Sequence, residues 1–92
     1  MQETIRHAHA GTLESSDAYV EIAPREDGLE GIELELESPV RMQFGDEIRK
    51  SVLQTLEWMG LESAWVRVVD RGALDCVIRA RVETAVKRAR GE

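Results

Sequence analysis

G-I-E-L-E-L-E-S at residues 31–38 alternates aliphatic and acidic side chains without a break. Because successive side chains of a β-strand point to opposite faces, this alternation is typical of a strand with one buried and one wet face. The aliphatic members are expected to pack in the core, and the acidic members to face solvent. The core-facing positions are Ile32, Leu34 and Leu36, and the solvent-facing positions are Glu33, Glu35 and Glu37.

Two further strands are predicted before this stretch. A-Y-V-E-I-A-P at 18–24 also alternates, and Pro24 ends it. Residues 8–13 predict a shorter strand of small side chains. Because the two strands lie so close in sequence, a tight hairpin is the natural connection, with Ser15 and Ser16 at its tip.

A helix is predicted to follow the 31–38 strand. Ser38-Pro39 resembles a helix start, with serine as the N-cap and proline at the first helical position. Gly60 is a plausible C-terminal cap. Apolar residues recur between them at steps of three and four, which predicts one buried stripe. The stripe consists of Val40, Phe44, Ile48, Val52, Leu56 and Met59.

The last part of the chain predicts a strand and a second helix. A-W-V-R-V-V-D at 64–70 is strand-like, Arg71-Gly72 turns the chain, and residues 73–90 have helical periodicity. Cys76 is expected in or beside the core and not as a reactive thiol. The predicted inner stripe of this helix is Leu74, Val77, Ile78, Val82, Ala85 and Ala89.

These elements predict a single domain over 1–92, with 1–7 as a flexible tail. The fold class is α/β (α+β), a two-layer sandwich in the order β-β-β-α-β-α, with a mixed sheet and both helices on one face. The first three strands are expected to form an antiparallel meander. The third and fourth strands are expected to be parallel, because a helix connects them in a right-handed crossover.

Charge and composition exclude several classes of function. The net charge is −6, and residues 14–47 contain eleven acidic residues against two arginines, a balance that would repel nucleic acid. No apolar run approaches the roughly 20 residues that span a bilayer. The single cysteine fits a reducing cytoplasm better than a disulfide-stabilised secreted protein.

Catalytic groups are represented only by weak candidates. His7 and His9 have no further ligands for a metal. Ser15, Asp17 and His9 are the residue types of a nucleophilic triad, but all three come from one small hairpin. The residues therefore predict no self-sufficient active site. The adjacent serines are either ordinary turn residues or, at an exposed tip, an acceptor for a covalently attached group.

Three separated motifs resemble one known family. G-T-L-E-S-S-D at 11–17 with I-A-P at 22–24, Q-F-G-D-E-I-R at 43–49 and D-R-G-A-L-D-C-V-I-R-A-R at 70–81 resemble the acyl carrier (gamma) subunit of citrate lyase, in order and in spacing. The related carrier subunit of malonate decarboxylase shares the serine-containing turn but has no close counterparts of the other two motifs. It ranks second.

The resemblance implies a protein with a covalently bound arm. In the family, a serine carries 2'-(5''-phosphoribosyl)-3'-dephospho-CoA, and matching the turn places that serine at Ser15. Ser16 stands where relatives have glycine, and it is a second possible acceptor. The thiol of the arm, and not Cys76, would carry the acetyl or citryl thioester between the alpha (transferase) and beta (lyase) subunits. The chain would be a non-catalytic carrier.

The same resemblance implies the partners. They are the alpha and beta subunits, the holo-carrier synthase that transfers the phosphoribosyl-dephospho-CoA group, and an acetate:thiol ligase; no nucleic acid or membrane is implied. Glu14 and Asp17 are expected to dock on a basic mouth of these enzymes. The alternatives are a carrier of malonate decarboxylase or citramalate lyase, and an unmodified α/β interaction module.

Overall fold

The computed structural model describes residues 3–39 and 41–92, with side chains in the first helix from residue 45 onward. The predicted order β-β-β-α-β-α is confirmed. The elements are β1 (Ala8–Gly11), β2 (Ala18–Ala23), β3 (Ile32–Glu37), α1 (Arg41–Trp58), β4 (Ala64–Asp70) and α2 (Asp75–Ala89). The strands form one mixed sheet, and the helices pack on one of its faces.

The strand order is β1-β2-β4-β3. The β1–β2 hairpin is antiparallel and β3–β4 is parallel, as predicted. The predicted meander is wrong, because β4 lies between β2 and β3 and pairs antiparallel with β2. The side chains explain this order. Val68 and Val69 are both buried although they point to opposite faces, so β4 suits the sheet centre, whereas the glutamates of β3 suit an edge.

The core lies between the sheet and the two helices. Val20 of β2, Val68 of β4 and Leu36 of β3 are aligned across the sheet and are all buried. The helices close this layer with the aliphatic residues Ile48, Val52 and Leu56 of α1 and Ile78, Val82 and Val86 of α2. Val40 and the Phe44 side chain of the predicted stripe lie outside the described residues.

Two side chains near the start of α2 differ from the prediction. Leu74 is 72% exposed, because its backbone is extended (φ −68°, ψ 155°) and α2 begins only at Asp75, so the helical period does not apply to it. Cys76 is exposed and not in the core, since it lies two helical positions from buried Ile78 and so on the other side of the helix. Val86, which the predicted stripe omitted, is fully buried.

The start of α1 also differs. The helix begins at Arg41, two residues after the predicted position at Pro39. The Ser38 hydroxyl donates a 2.9 Å hydrogen bond to Asp70 at the end of β4. Its oxygen can still accept a hydrogen bond, so the helix cap expected from Ser38 stays a prediction. Ser38 thus connects two neighbouring strand ends.

The predicted cap at Gly60 is confirmed. The Gly60 amide donates to the Glu57 carbonyl (2.9 Å), and the Leu61 amide donates to the Leu56 carbonyl (3.0 Å), which is the bonding pattern of a Schellman motif. Gly60 has φ 73°, the left-handed conformation that this motif needs. Leu56 and Leu61, which this second hydrogen bond connects, are both buried.

Residues 3–6, part of the segment expected to be a flexible tail, lie against the C-terminal end of α2. Residues 1 and 2 lie outside the described chain. Ile5 is buried, and the Arg6 amide donates to the Ala89 carbonyl at 2.9 Å. Glu3 and Arg90 form an ion pair. In the part of the chain that is described, neither helix has the length and apolar character to cross a membrane.

Replacing Gly60 with alanine tests the helix cap. A Cβ there would meet open space, so the expected loss of about 1 kcal/mol in the free energy of unfolding comes from the left-handed backbone alone. Gly60→Asn should lose less, because asparagine tolerates this conformation. Urea denaturation measures both. Equal losses in the two variants would contradict the explanation.

Candidate functional site: a serine turn at one end of the sheet

The connection between β1 and β2, residues 12–17, is named here the serine turn. Its entry requires glycine: Gly11 has φ 89°, and a Cβ there would lie 1.8 Å from the Ala18 carbonyl oxygen. This conformation ends β1 at Gly11, two residues before the predicted end at Leu13. The Asp17 amide donates to the Glu14 carbonyl at 3.2 Å, so Ser15 and Ser16 form the centre of a β-turn, as the sequence predicted.

Ser16 has an unusual backbone conformation. Among the described non-glycine residues, it alone has a positive φ, 67°. A negative φ followed by a positive φ is the pattern of a type II turn, which favours glycine at the second central position. A side chain in the left-handed region costs about 1 kcal/mol or more. Position 16 therefore requires a left-handed backbone, which glycine adopts without strain, although this chain has serine there.

The serine turn is bonded to the loop that connects β4 with α2. This loop, residues 71–74, is named the supporting loop. The Ser16 amide donates to the Arg71 carbonyl at 2.8 Å, and the Arg71 amide donates to the Asp17 carbonyl at 3.0 Å. These two bonds hold the apex of the turn on both sides of Ser16.

Asp17 is the centre of a dense set of hydrogen bonds. Arg81 of α2 donates to both carboxylate oxygens, from Nε at 2.9 Å and from Nη2 at 3.1 Å. The Thr12 hydroxyl and the Ala18 amide donate at 2.7 Å each. The Arg81 bonds first, and then those from Thr12 and Ala18, hold the pKa of Asp17 well below its usual range.

This arrangement corrects the expected docking role of Asp17. Its carboxylate is fully engaged inside the molecule, with the side chain 15% exposed, so it holds the turn to α2 and does not face a partner. Glu14, in contrast, is exposed.

Ser15 lies at the apex of the turn and is exposed. In the described part of the chain, no side-chain hydrogen bond involves its hydroxyl, whereas the backbone on both sides is held. The site therefore combines a free hydroxyl with a fixed main chain. This is the geometry that attachment of a bulky group needs.

The supporting loop is itself held by Asp70, which is buried at 2% exposure. One carboxylate oxygen accepts from the amides of Gly72 (3.0 Å) and Ala73 (2.9 Å), and the other accepts from Ser38. The sequence predicted a chain turn at Arg71-Gly72, but it predicted no part in the site for Asp70, Arg71 or Arg81. The available signal was their position: all three polar residues lie in the 70–81 motif, and in the structure they support the turn of the 11–17 motif.

The other candidate residues lie elsewhere. His9 stacks on Tyr19 with ring centroids 5.5 Å apart, and its neighbour His7 contacts Glu21, so both histidines lie with the β2 side chains that point away from the helices. Asp17 instead bonds α2, so the structure does not assemble Ser15, Asp17 and His9 as a triad. Among the described residues, no cluster of His, Cys, Asp or Glu is arranged to hold a metal ion.

Ser16→Gly tests the cost of the left-handed serine. The variant is expected to be roughly 0.5–1 kcal/mol more stable to urea, because the relieved strain exceeds the extra chain entropy of glycine in the unfolded state. Ser15→Gly is the matched control, since φ is not positive one residue earlier. The control should be slightly destabilised. Stabilisation of both variants, or of neither, would contradict the assignment.

The Asp17–Arg81 pair predicts a pH dependence. The lowered pKa of Asp17 in the folded state adds stability that is fully present above the unfolded pKa, about 3.9, and is lost as pH falls through the folded value. Arg81→Gln removes the main cause of the lowering. Wild type should therefore lose more stability than the variant between about pH 5 and pH 2, as measured by urea denaturation.

Asp17→Asn is the control for this pH experiment, because it removes the titrating group and should give the flattest profile. Arg81→Gln should lie between Asp17→Asn and wild type, because Thr12 and Ala18 still donate to Asp17. Contributions from Asp27 and Asp75, whose pKa values are also lowered, are common to all three proteins. Parallel pH profiles for the three proteins would show that the pair makes no linked contribution.

Comparison with known proteins identifies relatives over almost the whole chain. The family model described as the malonate decarboxylase delta subunit (MdcD) matches residues 5–89. The citrate lyase acyl carrier protein of Vibrio cholerae is 60% identical over 82 residues, covering 89% of this chain and 82% of that protein. That of Escherichia fergusonii is 53% identical over 87 residues, covering 95% and 88%.

Solved structures share the fold at low identity. A chain of the Pseudomonas malonate decarboxylase hetero-tetramer superposes with a TM-score of 0.76 at 19% identity, over 96% of this chain and 88% of that chain. The Staphylococcus aureus RNase P protein superposes with a TM-score of 0.54 at 10% identity, over 88% and 81%. These similarities show the fold alone, and the sequence relatives show the family. The chain belongs to the citrate lyase acyl carrier proteins, within the wider family described by the malonate decarboxylase delta subunit, and this membership implies a covalently attached prosthetic group.

Proposed function

We propose that this chain is the acyl carrier subunit of citrate lyase and that Ser15 is the attachment point of 2'-(5''-phosphoribosyl)-3'-dephospho-CoA. The observation that carries the proposal is an exposed hydroxyl at the apex of a turn whose backbone is held on both sides. It occurs in a chain 60% identical to a citrate lyase acyl carrier protein.

The surroundings of Ser15 fit a large, covalently bound group. The side chain is exposed, so the rest of the domain does not sterically block the modifying enzyme or the attached group. The bonds of Ser16 and Asp17 to Arg71 prevent the turn from moving with the attached group. When bound, the group supplies a thiol that carries the acyl chain, at a distance from the domain.

Ser16 is the less suitable acceptor. Both serines are exposed, but the φ of 67° and the backbone bond to Arg71 make Ser16 the more constrained residue of the pair. A transferase that must align a serine hydroxyl for attack gains more from a side chain that can rotate on an unstrained backbone. These observations support Ser15.

Modification of Ser15 needs a base from outside the turn. A serine hydroxyl is a poor nucleophile until a neighbouring base takes its proton. Asp17 is a weakened base because Arg81 lowers its pKa, and its carboxylate oxygens already accept four hydrogen bonds. We infer that the transferase supplies the base, and that this chain supplies only the positioned hydroxyl.

The chain's contribution to the lyase reaction is positional. A tether raises the effective concentration of the acyl group at each active site it can reach, by an amount set by its length and stiffness. A rigid turn at one end of the sheet gives the tether a fixed origin. The partners in this proposal are the alpha and beta subunits, the phosphoribosyl-dephospho-CoA transferase and the acetate:thiol ligase, all meeting the chain in the cytoplasm.

The carrier of malonate decarboxylase is the second candidate. The description of the matching family model and the shared fold at a TM-score of 0.76 favour it. The 45–60% identities to citrate lyase carriers favour the first candidate more strongly. Complementation separates them: purified chain, once modified, should restore citrate cleavage to carrier-free citrate lyase and should not restore malonate decarboxylation to carrier-free malonate decarboxylase.

Attachment is tested by producing the chain together with the transferase, followed by intact-mass measurement and peptide mapping. Wild type is expected to gain one adduct on the peptide that contains Ser15. Ser15→Ala should remove the adduct and the activity of a reconstituted lyase completely. Ser16→Gly is the matched control and should keep both, because it preserves the turn. An adduct that persists in Ser15→Ala and disappears in Ser16→Gly would move the site to Ser16.

A further inference from the structure

A groove separates the N-terminal part of α2 from the middle of α1. Its volume is about 650 Å3, and it continues onto the supporting loop. It is named here the interhelix groove. Its lining includes Glu47, Ile48, Ser51, Gly72, Ile78 and Arg79.

The interhelix groove has an apolar floor and polar sides. Ile48 and Ile78 are buried and provide apolar surface at its floor. Ser51 and Arg79 both donate to Asp75, and Arg79 also donates to Gln54 Oε1 at 3.0 Å, so hydroxyl, amide, guanidinium and carboxylate groups lie along its sides. Such a lining suits a ligand that alternates alkyl segments with amide groups.

The groove begins close to the proposed attachment point. Gly72 and Ala73 line it, and Arg71, the residue before them, accepts the 2.8 Å hydrogen bond from the Ser16 amide. With standard backbone dimensions, this single bond places the Cα atoms of Ser15 and Gly72 within about 10 Å of each other. A flexible group attached to Ser15 reaches the groove by crossing the supporting loop.

We propose that the interhelix groove is the resting site of the alkyl-and-amide arm carried on Ser15, so that in the free carrier the arm folds back against its own domain. This inference rests on the proposed function and deepens it. The occupant is the carrier's own arm and not a partner side chain, because the arm is present at high local concentration whenever the chain is modified.

The expected strength of this contact is modest, as a carrier requires. The alkyl-and-amide segment is joined to Ser15 through a phosphoribosyl unit and a nucleotide, and a flexible link of that length gives an effective concentration of roughly a millimolar or less. An intrinsic dissociation constant equal to that concentration, or up to about tenfold below it, leaves the arm bound for about half to nine tenths of the time. The thiol of the free holo-carrier should then react about 2- to 10-fold more slowly than the same thiol on free pantetheine. Partner enzymes can still withdraw the arm easily.

The test measures alkylation of the arm's thiol by a small neutral maleimide. Cys76 is exposed and would compete, so every protein in the series carries Cys76→Ala. Glu47→Trp fills the groove from an exposed lining position, and Arg49→Trp is the matched control, since Arg49 is exposed on the same helix and does not line the groove. Glu47→Trp should raise the rate to that of free pantetheine, and Arg49→Trp should leave it slow.

A second measurement does not depend on any substitution. Amide chemical shifts of the unmodified and modified wild-type chain are expected to differ in the serine turn and also at Ser51, Gly72 and Ala73. Shift differences confined to residues 12–17, or a thiol that reacts at the free rate in wild type, would overturn the proposal. Equal changes of the alkylation rate in the two tryptophan variants would overturn it as well.

The resting site and the proposed function fail in different ways. A chain that takes the adduct on Ser15 but shows no contact in the groove overturns only the resting site. A chain whose mass never changes in the presence of the transferase overturns the proposed function and, with it, the occupant.

Discussion

The bidentate ion pair between Asp17 and Arg81 is the interaction on which the site depends, because it joins the tip of the β1–β2 hairpin to α2. The two side chains are 15% and 39% exposed, so the pair is partly screened and is not a large source of stability. Its value is geometric. A guanidinium that bonds both carboxylate oxygens fixes the orientation of its partner, and the amides of Ser16 and Arg71 then fix the main chain on either side. Ser15 and Ser16 are then exposed on a turn whose main chain is fixed.

A second layer of support lies beneath the turn. Asp70 is buried, and its carboxylate holds the supporting loop through the amides of Gly72 and Ala73 while the Ser38 hydroxyl bonds it from the end of β3. Three chain segments that are distant in sequence therefore meet at one end of the sheet. The fold itself does not specify this use, since the Staphylococcus aureus RNase P protein has a similar fold at 10% identity. The proposed attachment site therefore depends on the turn and on the residues that hold it, and not on the fold alone.

The sequence predicted local features well where one face of an element is buried. Local sequence is sufficient for three features: the alternation of β3, the bounds of β4 and the cap at Gly60. The first two follow from the two-residue repeat of apolar side chains, and the third from the backbone preference of glycine. The errors have a common origin in contacts between distant segments. The hydrogen bond from the Ser38 hydroxyl to a buried carboxylate 32 positions away was not predicted. Leu74 was assigned to the buried stripe by its spacing, although the supporting loop holds that residue outside the helix. The meander failed because β4 has a more apolar surface than β3 and occupies the centre of the sheet.

By itself, the sequence determined the element order, the parallel pairing of β3 with β4, the hairpin that presents two serines, and a family resemblance that relatives at 60% identity confirm. Only the tertiary structure decided which polar side chains form hydrogen bonds inside the domain and which remain exposed. Asp17 and Glu14 flank the serines as similar acids, yet one is bonded to Arg81 and the other is exposed. The physical reason is that Asp17 and Arg81 are 64 positions apart, and local periodicity contains no information about which distant donor will meet a given carboxylate. The same holds for Ser16, whose left-handed backbone follows from the bonds that close the turn, and not from any preference of serine.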